Sequence, residues 1–184
     1  MTAAVILAAG FGRRMGGPKA LLRLGDETLL HRAARVALDA GCAPVLAVVG
    51  AWEPGLGDLD VQAIVNPEAA EGMASSLRAG ISALPQAAQR ALILTVDQPS
   101  IDATLLRALL ALAGAHPEGT AACAYADTLG IPAVFPRRLF PELQTLRGDR
   151  GAKALLLREN TATLPFPGGA LDVDAPEDLG PFRR

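Results

Sequence analysis

Arg13, Arg14 and Lys19 stand in one glycine-rich stretch, Gly10-Phe11-Gly12-Arg13-Arg14-Met15-Gly16-Gly17-Pro18-Lys19, directly behind an apolar run, Ala3 to Ala9. Glycines leave backbone N–H groups free to approach anionic oxygens, and three fixed cations within ten residues add the charge that a polyphosphate requires. Two familiar phosphate-binding patterns do not fit. A dinucleotide fingerprint needs glycine or alanine three places after Gly12, where Met15 stands, and a Walker loop needs Gly-Lys-Ser/Thr, whereas Gly17 is followed by Pro18, Lys19 and Ala20. A nucleoside triphosphate suits what remains. A solvated basic surface turn has the same composition and stays open as the alternative.

Acidic residues provide the second chemical signal. Asp97 ends the apolar run Ala91 to Val96 and is followed by Gln98 and Pro99, so it emerges at a strand end. A carboxylate beside a triphosphate repels it unless a hard cation intervenes, and Mg2+ is held by one or two carboxylates plus phosphate oxygens. A second acid is available in Leu171 to Leu179, where Asp172, Asp174 and Asp178 flank Pro176. The same segment also reads as an N-cap with an acidic first helical turn. Cys42 and Cys123 lack the spacing and companions of a metal site and read as reduced core residues. His31 falls in a helical pattern and His116 in a turn, and both read as structural or solvated. Trp52 lies in a loop, where it either covers a pocket or packs.

These residues need a scaffold that brings them to one edge. Strand-like runs are read at Ala3 to Ala9, Pro44 to Gly50, Val61 to Val65, Ala91 to Val96, Thr120 to Ala126, Ile131 to Phe135 and Ala162 to Phe166. Helical spacing is read from Leu29 to Leu38, Met73 to Leu84, Ala103 to Ala113 and Ala152 to Arg158, with a short turn near Arg138 to Leu143. Such alternation predicts an α/β fold: a single-domain, doubly wound, Rossmann-like, mostly parallel sheet with helices on both faces. Too little chain separates Ala126 from Ile131 for a crossover helix, so one antiparallel strand is expected there. Ligands of such sheets bind beyond the carboxyl ends of the strands, which places the glycine stretch and Asp97 together. With 184 residues, 51% of them hydrophobic, the chain has enough apolar mass for one substantial core. A formal net charge of −2 argues against nucleic-acid binding, and the short N-terminal apolar run supports neither a signal peptide nor a membrane span, so a cytoplasmic protein is expected.

Taken in order, several stretches resemble the molybdenum cofactor nucleotidyltransferase family, and most closely its cytidylyltransferase branch. They are Leu7-Ala8-Ala9-Gly10 with Arg14-Met15-Gly16 and Lys19; Asn66-Pro67 with Glu71 to Leu77; Asp97-Gln98-Pro99; Gly130-Ile131-Pro132 to Phe135; Gly148 to Ala152; and Asp172 to Leu179. They span almost the whole chain. Gly12, Val96 and Lys153 depart from the family pattern, which there favours serine, glycine and arginine, and none of the three removes an expected catalytic group.

The resemblance implies transfer of CMP from CTP to the terminal phosphate of the molybdenum-pterin cofactor, with release of pyrophosphate. Arg14, Lys19 and Asp97 would be catalytic. Leu7, Ala8, Ala9, Gly10, Gly12, Arg13, Arg14, Lys19, Asn66, Ser75, Ser76 and Asp97 would surround the nucleotide, and Ala8-Ala9 stands where the guanosine branch carries an additional glycine. Gln98, Arg147, Asp149, Arg150 and Lys153 would face the pterin, while Asp97 and Asp174 would hold Mg2+. A recipient molybdenum enzyme is the implied transient partner. Three alternatives remain: a guanylyltransferase on the same cofactor, a nucleotidyltransferase for a sugar phosphate or other phosphorylated acceptor, and a non-catalytic cofactor chaperone.

Overall fold

The computed structural model describes residues 1–12, 17–149 and 151–182. Its centre is a seven-stranded sheet formed by β1 (Thr2–Leu7), β2 (Val45–Val49), β3 (Val61–Val65), β4 (Arg90–Thr95), β5 (Ala121–Tyr125), β6 (Thr128–Pro136) and β7 (Ala162–Pro165). The spatial order is β7-β5-β6-β4-β1-β2-β3. Only β6 runs against the others, pairing antiparallel with both β4 and β5. The expected α/β sheet with one antiparallel strand is therefore the observed one. Among the described residues, five α-helices pack around it: α1 (Leu29–Asp39), α2 (Met73–Ser82), α3 (Ala103–Ala115), α4 (Phe140–Leu143) and α5 (Lys153–Arg158). Among the described residues, no helix is long and apolar enough to cross a membrane.

Burial on both faces explains the unbroken apolar run of β1. Ala4 and Ile6 join the core beneath α1 and α3, whereas Val5 and Leu7 join the core on the face of α2, α4 and α5. Helix α2 lies close enough to the sheet that a Cβ on Gly80 would overlap Val5 Cγ1. Cys42 and Cys123 are free thiols in this core, and burial pushes their pKa values up to about 11 and about 12.

Differences from the sequence reading have local causes. Strand β6 begins at Thr128 rather than Ile131 because the Thr128 to Gly130 segment still pairs with Tyr125 to Cys123; the register then shifts between Gly130 and Ala133, where Pro132 lacks an N–H. The β5–β6 turn is two residues long, and Ala126 and Asp127 both have positive φ. Two-residue ribbons pair Phe11–Gly12 with Gly17–Pro18 and Arg23–Leu24 with Glu27–Thr28, segments too short to show periodicity. Pro176 opens a 3-10 helix, Pro176–Phe182, rather than an α-helix.

Candidate active site

Parallel pairing sets Leu7 opposite Thr95, so the chain leaving β1 at Ala8-Ala9-Gly10 emerges level with the chain leaving β4 at Val96 and Asp97. Ala8 N donates to Val48 O, which ties the first of these loops to β2 (2.9 Å). The C-terminal segment returns to the same edge. Val173 N donates to Asp97 O at 2.8 Å, while Asp178 Oδ2 accepts from both Asp174 N and Ala175 N at 2.8 Å. Those bonds bring Asp174, remote in sequence, beside Asp97.

Lys19 lies between the two acids. Its Nζ donates to Asp174 Oδ1 at 2.8 Å and stands 3.5 Å from Asp97 Oδ2. Burial acts to lower the Lys19 pKa, but the Asp174 hydrogen bond and the charges of Asp97 and Asp174 together hold it above its ordinary value. Asp172 feels the opposite environment: partial burial and the Asp97 and Asp174 charges raise its pKa, against a hydrogen bond from Gln98. One ammonium shared by two carboxylates marks a place built for positive charge, and a divalent cation fits that donor pair. Among the described residues, no group of three or more His, Cys, Asp or Glu side chains could hold a metal. Two protein carboxylates with the remaining positions left to phosphate oxygens is the arrangement expected of a substrate-bridging metal.

A cleft of about 1210 Å³ opens over these residues. Leu7 to Gly10, Gly17 to Lys19, Thr95 to Asp97 and Asp174 form one side, and Ala69 to Met73, Ser76 and Asp149 form another. Glu71, Asp97, Asp149 and Asp174 contribute negative charge there against the Lys19 ammonium, so a polyanion entering the described part of the cleft gains from an accompanying divalent cation. A separate crevice beside Arg32 and Gln98 is only about 10 Å³, room for little more than a water.

The sequence-derived candidates divide by position. Leu7, Ala8, Ala9, Gly10, Lys19, Ser76, Asp97, Asp149 and Asp174 line the cleft. Asn66 and Ser75 sit behind Ser76: Asn66 Nδ2 donates to Ser75 Oγ at 2.9 Å and Ser76 Oγ at 3.1 Å, and Ser75 Oγ donates to Gly72 O. Gln98, expected against the acceptor, is instead buried, with Nε2 donating to Gly169 O at 2.8 Å and to Tyr125 Oη at 3.2 Å. The Arg147 guanidinium folds back onto Gln144 O and Leu146 O, and Lys153 opens α5 on the exterior, so neither lines the cleft. Arg13, Arg14 and Arg150 lie outside the described residues, whereas Gly12 pairs with Gly17 in the short ribbon beside the cleft-lining Gly17 to Lys19. His31 bonds Glu27 and His116 bonds Leu112 O, both away from the cleft.

Glu71, Met73 and Trp52 also line the cleft but carried no site assignment from the sequence. Trp52 does both things open to it, packing against the core while bordering the cleft. Glu71 sat inside a motif read for its serines, and its place on the cleft wall follows from a 3-10 turn, Ala69–Glu71, that periodicity does not reveal.

Residues 4–163 match the family described as the MobA-like NTP transferase domain. The chain belongs to that family. It is 35% identical over 166 residues to nicotine blue oxidoreductase of Paenarthrobacter nicotinovorans, covering 83% of this chain and 79% of that protein. It is 30% identical to purine catabolism protein PucB of Bacillus subtilis, covering 98% and 95% of the two chains. Molybdenum cofactor guanylyltransferase of Rhodobacter capsulatus is 28% identical over 96% of this chain and 92% of its own. Of solved structures, Rv0371c from Mycobacterium tuberculosis superposes with a TM-score of 0.83 at 29% identity, covering 99% of this chain and 97% of that one. A second structure of Rv0371c, a complex with manganese, has a TM-score of 0.75 at 28% identity and covers 98% and 97%.

Proposed function

We propose that this MobA-like protein is a nucleotidyltransferase that moves CMP from CTP to the terminal phosphate of the molybdenum-pterin cofactor, releasing pyrophosphate with Mg2+ bound. The observation that carries the reading is the Lys19 ammonium between Asp97 and Asp174 at the mouth of the cleft, level with the glycine loop. A relative named molybdenum cofactor guanylyltransferase supports the acceptor. A related structure holding manganese supports a divalent cation.

The attacking group in this reaction is a phosphate oxygen that is already anionic, so no general base is required. That agrees with two histidines placed away from the cleft. Catalysis then reduces to positioning and charge stabilisation. Asp97 and Asp174 would hold the divalent cation, which supplies charge neutralisation across the phosphate oxygens. Lys19, kept cationic by its acidic neighbours, would turn to the departing pyrophosphate, and the free backbone N–H groups of the glycine loop would take further oxygens. Ser76, whose hydroxyl accepts from Asn66 and lines the cleft, would meet the base. Arg14 would join Lys19 on the triphosphate.

Alanine at Ala8-Ala9, where the guanosine branch carries an additional glycine, favours CTP. GTP is the second reading, favoured by the relative named as a guanylyltransferase. The oxidoreductase name of another relative is a reminder that a shared fold does not choose the reaction. Pyrophosphate release from the purified protein, measured with Mg2+ and molybdenum-loaded pterin in parallel with CTP and with GTP, tests the proposal. Release with CTP supports it, release with GTP alone moves the protein to the guanosine reading, and silence with both overturns transfer to this acceptor.

A further inference from the structure

Arg78 belongs to no motif read from the sequence, yet with Glu71 it ties together two segments that each contribute to the cleft, 69–73 and 146–149. Its guanidinium grips the Glu71 carboxylate in a two-point pair, Nη1 to Oε1 at 2.8 Å and Nη2 to Oε2 at 2.5 Å, and Nη2 also reaches Glu68 Oε2 at 3.4 Å. Nη1 donates in addition to Leu146 O at 2.9 Å, and Glu71 Oε1 accepts from Gly148 N at 3.2 Å. The ion pair thus holds the 146–149 segment at two points, a carbonyl through the arginine and an amide through the glutamate. A third bond runs from Ala74 N, in the first turn of α2, to Gly148 O at 3.0 Å.

Gly72 makes this approach possible. Its φ is +122°, and a Cβ there would stand 2.7 Å from both the carbonyl carbon and the oxygen of Gly148. The Arg78 side chain is 17% exposed, and its bond to Leu146 O is partly buried while the Glu71 contacts face solvent, so the clasp rests on its two-point geometry rather than on exclusion of water. Asp149 follows the clasped residues immediately and lines the cleft, so any slackening of the segment moves a group on the cleft wall. Ala8 to Gly10, Lys19 and Asp97 are set instead by β1, β4 and the C-terminal segment, and Ser76 by Asn66. The clasp therefore bonds directly to the 146–149 segment, while the Ser76 hydroxyl on the same helix keeps its own bond from Asn66.

We propose that the Arg78–Glu71 pair is a positioning clasp that fixes the 146–149 segment against the first turn of α2, and so sets the phosphorylated acceptor without setting the nucleotide. The proposal rests on the nucleotidyltransferase reading above. Arg78 acts through Glu71 and the segment and does not touch the reacting groups. Lysine keeps the charge but lacks the fork needed to serve a carboxylate and a carbonyl together, so Arg78→Lys restores only part of what Arg78→Ala removes.

The test compares wild type, Arg78→Ala and Arg78→Lys in three measurements: KM and kcat for molybdenum-loaded pterin at saturating nucleotide, nucleotide Kd by equilibrium binding, and amide hydrogen exchange. Arg78→Ala is expected to raise the acceptor KM by about tenfold or more, as loss of charge-assisted hydrogen bonds implies. Nucleotide Kd stays within about twofold, exchange at Gly148 quickens while that of β1 does not, and Arg78→Lys falls between. An unchanged acceptor KM, a matching loss of nucleotide affinity, or unchanged exchange at Gly148 each overturns the clasp. Wild-type protein that releases no pyrophosphate overturns the transferase reading instead, and the exchange arm still decides whether Arg78 holds the segment.

Discussion

Lys19 and a divalent cation are drawn to the same two carboxylates, because both are cations and Asp97 and Asp174 converge on one point. Replacing Lys19 by methionine is expected to tighten binding of Mn2+ alone, read by electron paramagnetic resonance without any substrate; weaker or equal binding would show that the ammonium does not compete there. In turnover the two act together. Lys19→Ala and Asp97→Ala are each expected to cut pyrophosphate release by about a hundredfold or more, the scale of losing a preorganised charge in a site of this kind, with the circular dichroism spectrum unchanged. Either variant retaining wild-type rates would remove these residues from the chemistry. The type and strand-end placement of Asp97 were legible in the sequence, since an acid after an apolar run and before Pro99 has few other uses. Gln98 was misplaced because its neighbour in sequence faces the cleft while its own amide is claimed by Gly169 O and Tyr125 Oη, partners 71 and 27 residues away.

At the scale of elements, β1, α2 and α3 show how local signals and packing share the work. Asp102 caps α3 by accepting from Leu105 N at 2.7 Å, a signal readable from an acid ahead of a helical repeat. Asp102→Ala is expected to cost about 1 kcal/mol in urea unfolding, with the midpoint moved and the slope kept. Gly80, by contrast, looks like a weak point in a helix, and only the approach of α2 to Val5 explains it. Gly80→Ala should destabilise by about 1–3 kcal/mol despite alanine's better helix propensity, because the added methyl meets a packed β-branched side chain. A stabilised variant would mean that α2 stands farther from the sheet. The Arg23–Leu24 and Glu27–Thr28 ribbon was overlooked although its two-residue Gly25-Asp26 turn, with Gly25 at φ +65°, is a recognisable hairpin signal.

At the scale of the whole molecule, charge networks tie separate elements together and make stability depend on pH. Glu27 receives Arg35 first, then His31 and Arg32, and against the opposing effect of burial these hold its pKa down to about 2. Arg32 extends the network to Pro99 O, linking α1 to the turn that follows Asp97 (3.1 and 3.2 Å). A carboxylate depressed in the folded state contributes stability that is present above its ordinary value of 4.5 and is lost as pH falls toward about 2. Asp172 has the opposite sign, its raised pKa adding a small penalty as pH rises through its ordinary range. Glu27→Gln is therefore expected to lower stability at neutral pH and to flatten its decline between about pH 4.5 and 2, measured by urea unfolding at a series of pH values; an unaltered slope would show that the network contributes nothing to the fold.

Fold class, the parallel direction of β1 and β4 and the glycine–cation composition of the loop were legible in the sequence alone, because apolar periodicity and residue type act over a few neighbouring residues. Which residues face the cleft was decided only by tertiary structure. Asp174 reaches Asp97 through Val173 N, Ser76 lines the cleft while the Ser75 hydroxyl is turned to Gly72 O, and Glu71 meets Gly148 because Gly72 lets a distant backbone come close. Each of these is a hydrogen bond or a steric allowance between segments far apart in the chain, and no local pattern of residue types encodes which distant partner completes it.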